Sequence, residues 1–443
     1  MIHFPPVVAH GIGGRADLPV PTSYFMVGAG LAVVLSFVLV AALWKEPRWQ
    51  EPVAGRPIGG SLRRLGKVLQ VFGLVAFTFV VLAGIINGDS ADNLLSPVLV
   101  WIYFWLVIPF LSALVGNSWV FLNPWRTLSR WINRDAPERP DLGRVIGLWP
   151  AAGAFVVFTW LELVVPTNAQ PRTLALAAIV YTLYVLAMTR LLGVETGLSS
   201  GEAFENYNGL ISEIAPVALE RPEGVGAQAL DGPPRLMWRG WLRSLPALTV
   251  RPGLVALVIA MIGTVTYDGL SETNFWLSTF ESTAGQEWFA TLALLAVVAL
   301  VGTAYLLASA AAARLGDSDM TVLDVARSFA HTLVPIALAY AFAHYFTFIV
   351  FEGQQLIHEL SDPFGSGWNL LGTGDWKVNF WMSAEAVWYV QVAAIVLGHV
   401  AGVVLAHERA LRVFRSETAV RTQYAMLLLM VGLTALGLGV LSG

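Results

Sequence analysis

Residues 24–44 read YFMVGAGLAVVLSFVLVAALW, an apolar run without a single charged side chain. A helix rises about 1.5 Å per residue and a bilayer core is about 30 Å thick, so about 20 such residues cross it. Working outward, further stretches of spanning length lie near 68–87, 95–115, 146–165, 174–192, 253–269, 289–312, 329–350, 386–406 and 424–441. The expected fold is therefore all-α: a polytopic membrane bundle of about ten transmembrane helices.

Composition agrees. The 443 residues have a mean hydropathy of +0.66 and only 13% charge, too little to cover a soluble protein of this size. No loop is long or regular enough to fold alone, so residues 1–443 read as one membrane-embedded domain. With no cysteine in the chain, disulfides, thiolate metal sites, iron–sulfur clusters and Cys nucleophiles are excluded. The net charge of −4 and the lack of a long basic run give no reason to expect nucleic acid as a partner. The lipid bilayer is the expected partner.

Orientation follows from the basic residues. The segments 45–67, 116–145, 190–252, 313–328 and 407–423 hold 23 of them, and the intervening segments hold only Arg15, Arg172 and Lys377. The positive-inside rule makes the first set cytoplasmic and, with an even number of spans, both termini extracytoplasmic. The first span carries its basic flank behind it, which reads as a retained helix rather than a cleaved signal peptide. The bias of 23 Arg against 3 Lys points to a GC-rich bacterial genome, hence a multi-pass protein of the bacterial cytoplasmic (inner) membrane.

Three segments stand outside the spans. Residues 1–23 form a Pro- and Gly-rich outer arm, with His10 and Asp17 flanking its glycines. Residues 194–252 form a cytoplasmic segment. In it Ser199 and Glu202 suggest a capping box, and Phe204, Tyr207, Leu210, Ile211 and Ile214 fall on one face. That pattern predicts an amphipathic, interfacial helix within 199–216, lying on the membrane or on the bundle. Residues 221–234 read as a flexible connector. Residues 351–385 form an outer loop able to act as a lid. In 116–131, Asn123-Pro124 signals a turn, and Trp119, Trp125 and Trp131 suit an interfacial belt.

No soluble-enzyme motif is present: there is no phosphate-binding loop, no H-E-x-x-H and no G-x-S-x-G. Ionisable residues inside spans are more informative, because lipid makes them costly. At about 1.5 Å per residue, Glu162, Asp268, His344 and Gln391 all lie about 24–25 Å from the cytoplasmic end of their spans. One layer of polar groups near the outer leaflet results. Tyr340, one turn before His344, shares its face. Two readings stand: structural pairing near the water interface, or a site in which His344, Glu162 and Asp268, helped by His10 or Asp17, hold Zn, Cu or Fe as a divalent metal. A second, inner set is His331, His399 and His407. Two of these could hold haem b, although the depths of His331 and His399 differ by about 7 Å.

Several blocks resemble a known family: AHGIGGRADLPVPTSYFMVGAGLAVVLSFVLVAALW (9–44), GNSWVFLNPWRTL (116–128), SGEAFENYNGLISEIAP (200–216), TVTYDGLSETNFW (264–276), SFAHTLVPIALAYAFAHYF (328–346), SDPFGSGWNLLGT (361–373) and VWYVQVAAIVLGHVAGVVLAHERA (387–410). They are similar to a bacterial polytopic membrane-protein family, largely uncharacterised, some members of which are labelled fenitrothion hydrolase, after a membrane-bound hydrolase subunit. His10, Asp17, His331, His344, His399 and His407 match the family's pattern. The resemblance implies metal-dependent hydrolysis of an organophosphate and a second subunit as partner. Two alternatives stay open: a transporter of a small solute or metal ion, and a haem-bearing electron-transfer subunit.

Overall fold

In a computed structural model, the structure describes residues 22–49, 55–88, 94–220, 235–280, 282–283, 285–317 and 319–441. The outer arm with His10 and Asp17, and the connector 221–234, lie outside the described residues.

The expected bundle forms. Its principal helices are α1 (Thr22–Leu43), α2 (Arg63–Ile86), α3 (Leu95–Val115), α4 (Pro124–Ile132), α5 (Trp149–Leu163), α6 (Pro171–Leu192), α7 (Val194–Gly201), α8 (Ala203–Ser212), α9 (Leu254–Ser271), α10 (Glu287–Leu315), α11 (Val334–Val350), α12 (Ala384–Val413) and α13 (Tyr424–Leu441). Nine helices among the described residues are long and apolar enough to cross a membrane, and a bent pair makes a tenth. That pair is Pro140–Ile146 followed by α5, with 56° between them. Gly147 makes the corner at φ +60°, and a Cβ there would lie 2.2 Å from the carbonyl oxygen of Pro252, so a side chain is excluded twice over. At about 22 Å, α5 alone is too short for a bilayer core.

The helices differ in what they face. In the most apolar window of α1, 17% of residues are buried within the protein, against 78% for α9. Both are long and apolar enough to span, but α1 leaves most of its surface uncovered by protein and α9 is the centre of the bundle. It touches α5, α10 and α11. The middle of α3, Val98–Val107, is wound as a π-helix and directs Trp101, Trp105 and Leu106 inward. Pro109 has no N–H for the carbonyl four residues back, in keeping with a wider turn just before it.

Two departures from the sequence reading concern residues 194–252. A small antiparallel sheet, order β1-β3-β2, joins β1 (Arg56–Ser61), β2 (Val217–Glu220) and β3 (Arg235–Trp238). Val217 and Arg56 both pair with Trp238. Strands of four residues carry too little periodicity to be read from sequence. The sheet lies at the Arg-rich end of the bundle, where Arg243 also stacks over Trp49 and Arg421 donates to the carbonyl of Leu315.

The second departure is α8. Its expected apolar face, Phe204, Tyr207, Leu210 and Ile211, is buried, but so are Ala203, Asn208 and Ser212 on its other sides. Other helices of the protein cover it. With α7 it forms a helix pair broken at Glu202 and packed against α3, α5 and α11. Phe204 sits among Phe104, Trp119, Trp125, Phe158 and Tyr181, with ring centroids 4.4–6.5 Å away. Trp119 and Trp125, expected in an interfacial belt, are thus core residues, and only Trp131 is exposed. Asn123 does make the expected turn: its side chain accepts from the backbone N–H of Arg126 and caps α4.

Candidate functional site

At the end of the bundle opposite the arginines, α9 and α11 bring together two of the expected residues. His344 Nε2 lies 2.8 Å from Asp268 Oδ2, and the Tyr345 hydroxyl donates to the same oxygen at 2.6 Å. Gly269 permits this approach, because a Cβ there would meet Val440 at 2.1 Å and the His344 ring at 3.4 Å. Gln391 Nε2, on α12, donates to the carbonyl of Ala343, next to His344, at 2.8 Å. Tyr340 is buried one turn away, against Gly437, and its hydroxyl has no partner among the described residues.

Glu162 belongs to the same cluster, on α5. Asn168 Nδ2 donates to its backbone carbonyl, and Trp101 Nε1 donates to the carbonyl of Asn168 at 3.1 Å. The turn after α5 is therefore pinned to α3. The Glu162 carboxylate is within electrostatic reach of Asp268, Tyr345 and Tyr207. The Trp105 indole N–H and the Tyr345 hydroxyl are the hydrogen-bonding groups that approach its carboxylate, and Oε2 has no partner of good geometry. Glu162, Asp268 and His344 are each no more than 9% exposed. Among the described residues no group of three or more His, Asp or Glu side chains could hold a metal ion; the expected helpers His10 and Asp17 are not among them.

Each inner histidine has its own contacts. His331 lies in a 3-10 turn before α11, with no partner at Nε2. His399 donates from Nδ1 to the carbonyl of Ile395 on its own helix at 2.8 Å. His407 lies 3.1 Å from Gln423 Oε1 and 2.7 Å from the carbonyl of Trp44. Beside it, the Glu408 carboxylate accepts from Trp44 Nε1, Arg48 N and Trp49 N at 2.8–3.1 Å. These two residues tether the chain that follows α1. A Cβ at Gly398 would lie 2.8 Å from the Pro335 oxygen, and one at Gly402 3.0 Å from that of Thr332. Along this seam α12 packs closely on the backbone of α11 and of the turn before it.

The α7–α8 pair carries a further buried carboxylate. Glu202 caps α8 by accepting from the backbone N–H groups of Phe204 and Glu205. It also accepts from Trp119 Nε1 at 3.1 Å, Asn123 Nδ2 at 3.0 Å and the Tyr181 hydroxyl at 2.7 Å. Burial, reinforced by the charge of Glu205, pushes its pKa up to about 7, with the donors pulling the other way. Below it Arg126 binds Glu205 at 2.5 Å and Glu195 at 2.9 Å, and Arg130 binds Glu195 at 2.8 Å. Burial opposes ionisation of Glu195, but Arg126 and Arg130 outweigh it and hold its carboxyl below the usual range.

Beside α8, at the Arg-rich end, is a cavity of about 670 Å³. Asn117, Asn206, Gly209, Ser244 and Arg251 are among its lining residues, with Leu210, Leu248 and Leu254 supplying apolar wall. Arg251 donates to the carbonyl of Ser199 and to Ser200 Oγ. Burial lowers its pKa, with no neighbouring carboxylate to offset it. At the other edge of α8, Tyr207 stacks on Trp105 with centroids 5.3 Å apart. One short helix thus touches both the cavity and the cluster around Glu162.

Tyr345, Trp105, Tyr207 and Arg251 were not singled out as site residues from the sequence. Tyr345 follows His344 directly and could have been noticed there. The others become site residues only because α8 inserts. Comparison with family models, curated proteins and solved structures found no match for this chain.

Proposed function

We propose that the protein is a proton-coupled transporter of a small polar solute. The observation that carries this reading is the buried, broken α7–α8 pair, which has a polar cavity on one side and the acid–histidine cluster on the other. Non-helical backbone at membrane depth is tolerated where protein buries it or where it lines a cavity, and broken helices mark transporter binding sites. By the positive-inside rule the cavity opens to the cytoplasm. The cluster Glu162, Tyr345, Asp268 and His344 offers proton acceptors and donors in series, the chemistry of a relay. Tyr207 and Trp105 lie between relay and cavity. Organophosphate hydrolysis rests on the resemblance alone, and its expected ligands include two residues outside the described chain.

The test is proteoliposomes loaded with a pH-sensitive dye and exposed to small carboxylates, amino acids, sugars and divalent metals in turn. We expect one class to drive proton movement, lost in His344→Ala and in Gly209→Trp, which fills the cavity. A Cβ at Gly209 meets only Asn117 Nδ2, at 3.7 Å, so the helix accepts a side chain there. Absence of solute-driven proton flux for every class, with organophosphate cleavage by the same preparation, would overturn the reading.

A further inference from the structure

The cavity beside α8 has an electrostatic character that identifies its ligand. Its acidic residues are already engaged: Glu205 with Arg126, and Glu213 with Arg239 at 3.4 Å. Arg251 is different. Its two hydrogen bonds go to neutral oxygens of Ser199 and Ser200, and among the described residues no carboxylate is within salt-bridge distance of it. A guanidinium has five N–H donors in a planar fork that matches a carboxylate. Across the same cavity, Asn117 Oδ1 is buried without a hydrogen-bond partner. It can accept from a hydroxyl or an ammonium. The remaining wall mixes polar side chains such as Asn206, Ser212 and Ser244 with Leu148, Leu210 and Leu248, and the volume is that of a small-molecule site.

We propose that this cavity binds a small organic carboxylate, held by Arg251 through its anionic group and by Asn117 through a hydroxyl or amino group on the same molecule. This deepens the transport reading and rests on it: the solute moved is an organic anion or amino acid, not a cation or a neutral sugar. Ser244 and Thr249 supply further hydroxyl groups on the cavity wall.

Binding is measured on the detergent-purified full chain by calorimetric titration with lactate, glutamate, succinate, inorganic phosphate, glycerol and putrescine. A carboxylate binds, whereas glycerol and putrescine do not. Arg251→Gln weakens that binding about tenfold or more, the loss of a charge-assisted pair, and Arg251→Lys recovers part of it. Because Arg251 also ties α7 in place, Gly209→Trp provides a second route: it fills the cavity without touching that tie, and abolishes binding. Carboxylate affinity unchanged in both Arg251→Gln and Gly209→Trp overturns the proposal, as does preference for putrescine or for phosphate over every carboxylate. The titration needs no membrane gradient. Binding without proton-coupled flux would therefore retire the transport reading and leave this site standing.

Discussion

Glu202 and Glu162 are both buried glutamates on contacting parts of the bundle, yet they are opposites in what surrounds them. Glu202 is fully buried and receives five donors, two from the start of its own helix and three from Trp119, Asn123 and Tyr181. Glu162 has an oxygen with no partner and a second carboxylate, Asp268, within electrostatic reach. A satisfied carboxylate holds a fold together, because its removal strands every donor aimed at it. An unsatisfied one costs stability and is retained where it does something else. The difference is the ground for proposing Glu162, and not Glu202, as the working glutamate.

The largest effect expected from this contrast is on folding. Glu202→Ala leaves three buried side-chain donors and two helix-end N–H groups unmet, a loss of at least about 3 kcal/mol. Thermal unfolding in detergent should show a strongly lowered midpoint or no folded protein. A variant as stable as the parent would erase the distinction. A smaller effect concerns the ion pairs beneath Glu202. The carboxyl of Glu195 is held below its ordinary value of 4.5, so its contribution is present above that value. It is lost as pH falls through the lower, folded value. Unfolding midpoints measured from neutral to acidic pH should drop below about 4.5, less so in Glu195→Gln. The smallest stability effect is expected for Glu162→Gln, within about 1 kcal/mol of the parent, since no hydrogen bond to Oε2 is lost. The same variant should lose proton flux in proteoliposomes. A large destabilisation with normal flux would reverse the assignment of the two glutamates.

How far the sequence could be read depends on the kind of signal. Spans were legible because the bilayer imposes a length and a polarity that no tertiary contact is needed to explain, and each expected span has its helix, including the short, bent α5. The pairing of Asp268 with His344 was legible for the same reason: both are costly in lipid and both lie at one depth. Trp119 and Trp125 misled, because an aromatic residue near a span end suits an interface and a core equally well. The α8 face misled likewise. Its apolar positions were identified correctly, but periodicity does not say whether lipid or protein covers them.

The sequence by itself determined that this chain is a multi-pass helical membrane protein, and which polar side chains are too costly to face lipid. Only the tertiary structure decided that α7 and α8 enter the bundle instead of lying on it. From that insertion follow the cavity around Arg251, the five donors on Glu202 and the contact of Tyr207 with Trp105. The reason is that a hydrophobic residue gains nearly as much from lipid as from protein, so apolarity places a helix in the membrane but not among its neighbours. That choice is made by shape and hydrogen bonds: the aromatic cage around Phe204 and the donors that converge on Glu202 exist only once the chain has folded.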